Sequence, residues 1–257
     1  MPEGDTVWRT ANSLRDALVG RQLTVCDVRV PRYATVDLTG SVVDSVDSRG
    51  KHLLIRVGDK VIHSHLKMEG AWHVYVPGTK WRRPAYQARI VLANTERTAV
   101  GFELGVVEIL DDDDTAVGYL GPDLLGDDWD ASVAAANLEA DPARPVGLAL
   151  LDQRVIAGLG NVYRNEVCFL RGVRPTTPVA RVGDIGKLVD VSFRTIHANK
   201  HRNGRTMTGD LRPGRQFWVY GRENKPCRRC GARIVFGHLG DNPLEERQIY
   251  YCPRCQR

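Results

Sequence analysis

At 257 residues the chain is long enough for two domains, and its 42% hydrophobic and 26% charged content is that of an ordinary soluble globular protein. No apolar run approaches the ~18 residues of a membrane helix and no charged-then-apolar leader opens the chain. A cytoplasmic protein is therefore expected, its six cysteines serving as thiols or metal ligands rather than disulfides. The net charge of +5 is unevenly spread: Arg194 to Arg257 carries 14 Lys and Arg against 5 Asp and Glu, the footprint of a polyanion binder, with a solvated basic face as the plainer alternative.

The chain opens MPEGDTVWRT. Trimming of Met1 before a small residue would leave Pro2 with a free secondary amine, next to Glu3 and just ahead of a helix. Val7, Ala11, Leu14 and Leu18 recur at helical spacing, so a helix is expected over Thr6–Leu18, with Gly20 as its stop. Short β-branched stretches follow: QLTVCDVRV, SVVDSV, KHLLIRV, KVIHSHL, AWHVYV, ARIVLA and TAVGFELGVVEIL. Turn residues separate them, which predicts antiparallel sheets packed as a sandwich. The acidic, Gly- and Pro-punctuated stretch DDDDTAVGYLGPDLLGDDWD marks a domain junction, with the Asp run as solvated linker. Beyond it the texture is helical: ASVAAANLEA, VGLALLDQRVIA, NVYRNEVCFLRG and DIGKLVDVSFRTIHANKH. A loop rich in Gly, Arg and Thr then leads to the cysteines. The expected division is an N-terminal β-sandwich domain over 1–112, a linker over 113–129, a helical domain over 130–216 and a cysteine-bearing module over 217–257.

Two constellations carry chemistry on their own terms. Cys227-x2-Cys230-x21-Cys252-x2-Cys255 has the form of two CxxC knuckles around one structural zinc, with a hairpin between them that bears Arg247. Cys26 and Cys168 lie in apolar segments and are expected in the core. In LLDQRVIAGLGNVYRNEVCF, two helical patterns are joined by Ala157-Gly158-Leu159-Gly160, with Asn161 placed to cap the second. Glycine turns and exposed helical N–H groups make such a junction a phosphate site. It is not the dinucleotide version, because no strand precedes it and the third glycine is absent.

The same stretch closely resembles the helix–two-turns–helix motif of the Fpg/Nei DNA glycosylases. PEG at Pro2–Gly4, SRGKHLL with Lys51, and VYGRENKPCRRC leading to CPRCQ match that family in order and spacing over essentially the whole chain. The resemblance implies an α+β, two-domain fold: an N-terminal helix and antiparallel β-sandwich, then a helical helix–two-turns–helix domain with a β-hairpin zinc finger. It implies a bifunctional glycosylase and AP lyase of base excision repair, in which the Pro2 amine attacks C1′ of a damaged nucleotide and β,δ-elimination follows. By the same resemblance Glu3 shuttles protons, Lys51 contacts the phosphate near the lesion, Asn161 and Arg247 grip the kinked duplex, and Met68 in HLKMEG fills the gap left by the extruded base, with a plain core position as the alternative for Met68. An α-amino group titrates near ~8 against ~10.4 for lysine, and a following helix N-terminus lowers it further, which suits the role.

One departure stands out, since Asp5-Thr6 replaces the family's usual Pro-Glu. The PEG opening and the short Asn203–Phe217 segment favour a Nei-type enzyme for oxidised pyrimidines. The rivals are an Fpg-type enzyme for oxidised purines and a non-catalytic, zinc-stabilised binder of damaged or bent DNA. One structural Zn2+, damaged DNA as partner, a monomeric state, a nucleoid-associated cytoplasmic location, and neither membrane nor nucleotide cofactor complete the expectations.

Overall fold

The structure is a computed structural model and describes residues 2–257. The chain divides into two compact units between Tyr119 and Leu120.

The first unit opens with helix α1, Gly4–Leu18, two residues longer at its start than the apolar periodicity predicts. Periodicity registers only where side chains meet the core, and the first turn, Gly4-Asp5-Thr6, carries none of the apolar stripe. Val7, Ala11, Leu14 and Leu18 form the buried face, and Gly20 ends the helix at φ 73°. Eight strands follow: β1 Val25–Val28, β2 Val43–Arg49, β3 His52–Val57, β4 Lys60–His65, β5 Ala71–Tyr75, β6 Ala88–Ala93, β7 Thr98–Phe102 and β8 Val106–Leu110. They make two four-stranded antiparallel sheets, β2-β3-β4-β8 and β1-β6-β7-β5. One core serves both: Leu53, Ile55 and Ile62 from the first sheet cluster with Ile90, Leu92 and Ala99 from the second and with α1. TAVGFELGVVEIL, expected as one strand, is two, broken at Glu103–Gly105 where Glu103 takes φ 47°. The Asp run is not simply solvated. Asp113 pairs with Arg56 at 2.7 Å, Asp111 pairs with Lys60 at 2.8 Å, and a short helix α2, Asp114–Val117, follows.

The second unit contains α3 Ala131–Glu139, a single turn α4 Val146–Ala149, α5 Asn161–Arg171 and α6 Ile185–Asn199, then a hairpin of β9 Val235–Leu239 and β10 Arg247–Tyr251. VGLALLDQRVIA is thus helical over one turn only. Its apolar residues Val146, Ala149, Leu150, Ile156 and Ala157 are buried whether helical or not. A short apolar run reports burial more reliably than helix. Asp184 caps α6 by accepting from Lys187 N–H at 2.9 Å, and Asp130 caps α3 in the same way. Among the described residues, no helix is long and apolar enough to cross a membrane.

Candidate functional site

Glu3 is the residue from which α1 starts. Its carbonyl accepts the N–H groups of Thr6 and Val7 at 2.9 and 3.1 Å, while its side chain makes no capping bond. The residue is 0% exposed. A carboxylate is thereby held beside half-buried Pro2, at a helix N-terminus whose N–H groups favour negative charge. Asp5 is buried too: it accepts from Thr6 N–H at 2.8 Å and lies 3.7 Å from Arg9. The first turn therefore keeps a second buried carboxylate although position 6 is threonine.

Lys51 lies in the two-residue turn of the β2–β3 hairpin rather than in the strand. Gly50 supplies the φ of 59° that the turn needs, and Arg49 pairs with His52 across it.

The next residue begins a chain that sequence reading missed. His52, His63, His65 and Glu108 lie on the face of the first sheet turned away from the core. His52 Nδ1 lies 2.8 Å from His63 Nε2, His63 Nδ1 lies 2.9 Å from Glu108 Oε2, and the Tyr119 hydroxyl lies 3.1 Å from His52 Nε2. A carboxylate only accepts, so His63 carries its proton on Nδ1, His52 donates to His63, and Tyr119 donates to His52. One set of tautomers satisfies the whole chain. Burial, then the proximity of His63, Lys67 and Lys51, brings the His52 pKa down to about 4. His65 stands edge-on to His52 and accepts from Lys67 N–H at 2.9 Å, which leaves its own proton on Nε2. Burial and its neighbours bring its pKa down to about 3. The signal available beforehand was HSH on a strand, two histidines on one face, with His52 across the hairpin.

Met68 is 57% exposed, so it is no core residue. It sits in a tight turn in which Lys67 takes φ 52° and Gly70 N–H returns to Leu66 O at 2.9 Å. A Cβ on Gly70 would lie 2.4 Å from that carbonyl, so the turn requires glycine. The Arg83 guanidinium pins the turn from outside, donating to Glu69 O at 3.0 Å and to Glu103 Oε2 at 2.9 Å.

In the second unit, the glycine junction is wired by Gln153. Its amide donates to Leu151 O and Leu159 O, and its oxygen accepts Gly158 N–H at 3.1 Å, with Gly158 at φ 104°. Gly160, not Asn161, is the cap of α5. Asn161 turns its amide to Gln248 O in β10 instead, at 3.0 Å, and is joined there by Arg164 at 2.9 Å. Asn165 accepts Tyr250 N–H at 2.7 Å, and buried Glu166 accepts the N–H groups of Trp218, Val219 and Tyr220, each at 2.8 Å. Polar groups of one buried helix thus fix both the segment entering the cysteine module and the strand whose first residue is exposed Arg247.

The four cysteine sulfurs lie within 4.8 Å of one another and could hold a metal ion. Cys230 and Cys252 are 3.4 Å apart and Cys227 and Cys255 4.0 Å, too far for disulfides. Four thiolates at ~2.3 Å from a tetrahedral zinc would be ~3.8 Å apart, which these spacings match. Arg229 N–H points at Cys227 Sγ and Cys255 N–H at Cys252 Sγ, both at 3.4 Å, completing the two knuckles.

Residues 1–103 match the family description "Formamidopyrimidine-DNA glycosylase N-terminal domain", and residues 120–198 match "Formamidopyrimidine-DNA glycosylase H2TH domain". The chain is 56% identical to the "DNA-(apurinic or apyrimidinic site) lyase Nei2" of Mycolicibacterium smegmatis, over 100% of this chain and 99% of that protein. It is 54% identical to "Endonuclease 8 2" of Mycobacterium tuberculosis, over 100% of both. In fold it is similar to MutM in complex with carbocyclic 8-oxo-G containing DNA, with a TM-score of 0.82 at 23% identity over 100% of both chains. It is similar also to Lactococcus lactis formamidopyrimidine-DNA glycosylase bound to DNA containing an AP site, with a TM-score of 0.81 at 23% identity, again over 100% of both.

Proposed function

The chain belongs to the Fpg/Nei family of DNA glycosylases, and from that premise we propose a bifunctional glycosylase and AP lyase of base excision repair that acts through Pro2. The observation that carries this reading is Glu3, a carboxylate buried at the start of α1 and adjacent in sequence to the proposed amine.

With Met1 removed, the free-base amine of Pro2 forms a bond to C1′ of the damaged nucleotide. The C1′–N glycosidic bond breaks, and its electron pair leaves with the base, which takes up a proton in balance for the one the Pro2 nitrogen gives up. Glu3 protonates O4′ as the sugar opens, leaving an iminium between Pro2 and C1′. The iminium acidifies the C2′ protons. Loss of one expels the 3′ phosphate, a second elimination expels the 5′ phosphate, and water releases the sugar fragment and the amine. Lys51 and Met68 serve as phosphate contact and wedge, supported by their turn positions and by the exposure of Met68. Asn161 and Arg247 serve as phosphate contacts, supported by the shared link through Gln248. Zinc is the metal we assign to Cys227, Cys230, Cys252 and Cys255, on the strength of four soft donors at tetrahedral spacing. There it would have a structural part only, holding the hairpin that carries Arg247.

For the lesion we favour oxidised pyrimidines, because a short Asn203–Phe217 segment offers few donors to read a purine edge. Single-turnover excision of thymine glycol should then outpace that of 8-oxoguanine opposite cytosine. The reverse order would move the protein to the purine-specific reading. The mechanism is tested by borohydride trapping on an abasic duplex. Wild type should give a covalent adduct at Pro2, and a retained N-terminal tag should abolish it. An adduct that survives the tag would place the nucleophile on a lysine and overturn the assignment. Arg247→Ala should weaken duplex binding by roughly 1–3 kcal/mol, the range for a lost charge-assisted contact.

A further inference from the structure

Outside these residues, the first unit carries a basic and aromatic face that the proposed reaction does not use. Between Thr79 and Arg97 the chain has five Lys and Arg against one Glu, within an N-terminal part whose acidic residues otherwise outnumber its basic ones. Elsewhere in the unit several cations are neutralised in place, Arg29 by Asp27, Arg56 by Asp113 and Lys60 by Asp111, while among the described residues exposed Arg32 and Lys67 are not. Among the described residues, Lys80, Arg82 and Arg89 have no acidic side chain within ion-pair distance, and all three are exposed. Tyr86, between them, is 79% exposed.

The loop bearing these groups is anchored from beneath. Trp81 packs edge-on against Phe102 at 5.8 Å, with the Arg29 guanidinium 5.6 Å from its ring centre. Arg29 also donates to Ala85 O at 3.1 Å, and the Tyr75 hydroxyl accepts Arg82 N–H at 3.1 Å. Arg83 ties the same loop to the turn that carries Met68. Beside the loop lie open depressions of about 530 Å³ and 480 Å³, the second bordered by Arg29, Arg32 and Arg89. Packing on buried Phe102 and Tyr75 therefore anchors the loop that carries the unneutralised cations and the exposed Tyr86 ring.

We propose that this face, Lys80, Arg82, Tyr86 and Arg89, binds single-stranded DNA, the cations taking the phosphodiester backbone and Tyr86 stacking on an unpaired base. Charge complementarity selects a polyanion. The exposed ring selects a strand whose bases are free, because a duplex offers no base face to stack on. The proposal rests on the reading of the protein as a DNA-repair enzyme, but its test does not pass through catalysis.

Binding of a lesion-free oligothymidylate of about 20 nucleotides is measured by fluorescence anisotropy across a salt series, for wild type and the Lys80→Ala/Arg82→Ala/Arg89→Ala variant. Each phosphate contact on a single strand contributes ~0.7 to the slope of log K against log salt, so the variant should lose about 2 units of slope and about tenfold or more in affinity. Photo-crosslinking of wild type to an iodouracil-substituted strand, which needs no folded variant, should label the peptide that contains Tyr86. Unchanged affinity and slope, or a crosslink confined to other peptides, would overturn the proposal. So would an equal loss on a blunt duplex, which would make the face a contact for any phosphate backbone. If borohydride trapping fails while the oligothymidylate results hold, it is the catalytic reading that falls and this surface that stands.

Discussion

The side-chain amide of Asn161 donates to the carbonyl of Gln248 at 3.0 Å, joining the first residue of α5 to the strand that presents Arg247. Asn161→Ala removes one donor from that carbonyl while Arg164 still reaches it at 2.9 Å. The Asn161 Oδ1 also accepts from buried Arg164 and, at 3.3 Å, from buried Asn165. Three side-chain hydrogen bonds are therefore lost, and the expected cost is about 3 kcal/mol, or a fall of roughly 6–12 °C in melting temperature. DNA affinity should fall further than stability suggests if Asn161 also contacts phosphate. Loss of stability with affinity unchanged would leave Asn161 a scaffold residue only.

Glu166 should be the costlier position. Burial raises its pKa, and the three backbone N–H bonds and Arg222 pull the other way. Glu166→Ala leaves the N–H groups of Trp218, Val219 and Tyr220 without their acceptor in a buried site. At ~1–3 kcal/mol each, the loss should be at least about 3 kcal/mol. Glu166→Gln, which keeps one acceptor oxygen, should lose less. Urea unfolding of the two variants decides it, and equal losses would show that size rather than hydrogen bonding matters here.

Purified protein should hold one zinc per chain. Cys252→Ser should release it, unfold the hairpin module and weaken DNA binding, while the sandwich keeps its own unfolding transition. Elemental analysis that finds no zinc in protein prepared without chelator would remove the assignment.

The neutral histidines make stability dependent on pH in a stated direction. A free histidine titrates near 6.5, whereas His52 in the folded protein is brought down to about 4 and His65 to about 3. Between those values the unfolded chain binds protons that the folded chain does not, so stability falls as pH drops from 6.5 towards 4. The groups facing His52 are His63, His65, Tyr119, Lys51 and Lys67, with Glu108 beyond His63. Replacing its ring by a non-titrating amide in His52→Gln should flatten the fall in melting temperature between pH 7 and pH 5. Parallel curves for variant and wild type would refute it.

Glu3→Gln should suppress excision of an intact damaged base more than cleavage at a preformed abasic site, because only the former needs the full proton relay. Single-turnover rates on the two substrates, compared as a ratio, make the measurement. An equal loss on both would confine Glu3 to the elimination steps.

Sequence alone determined what local spacing encodes. Two CxxC knuckles can be recognised from their intervals, the strands from alternation, and the glycine junction from its breaks, because each depends on residues a few positions apart. Cys26 and Cys168 were legible as core-associated for the same reason, since both sit in apolar runs; Cys168 is buried and Cys26 packs against the core at half exposure. Tertiary structure decided what depends on residues far apart in the chain. Asn161, which local grammar marks as a cap, spends its amide on a carbonyl 87 residues away. The Asp run, which composition marks as solvated, finds Arg56 and Lys60 on neighbouring strands. The line from Tyr119 through His52 and His63 to Glu108 exists only because antiparallel pairing sets β3, β4 and β8 side by side, with alternate side chains on one face. A hydrogen bond is directional and short, so it belongs to whichever groups the fold brings within about 3 Å, and a sequence records the groups without recording that distance.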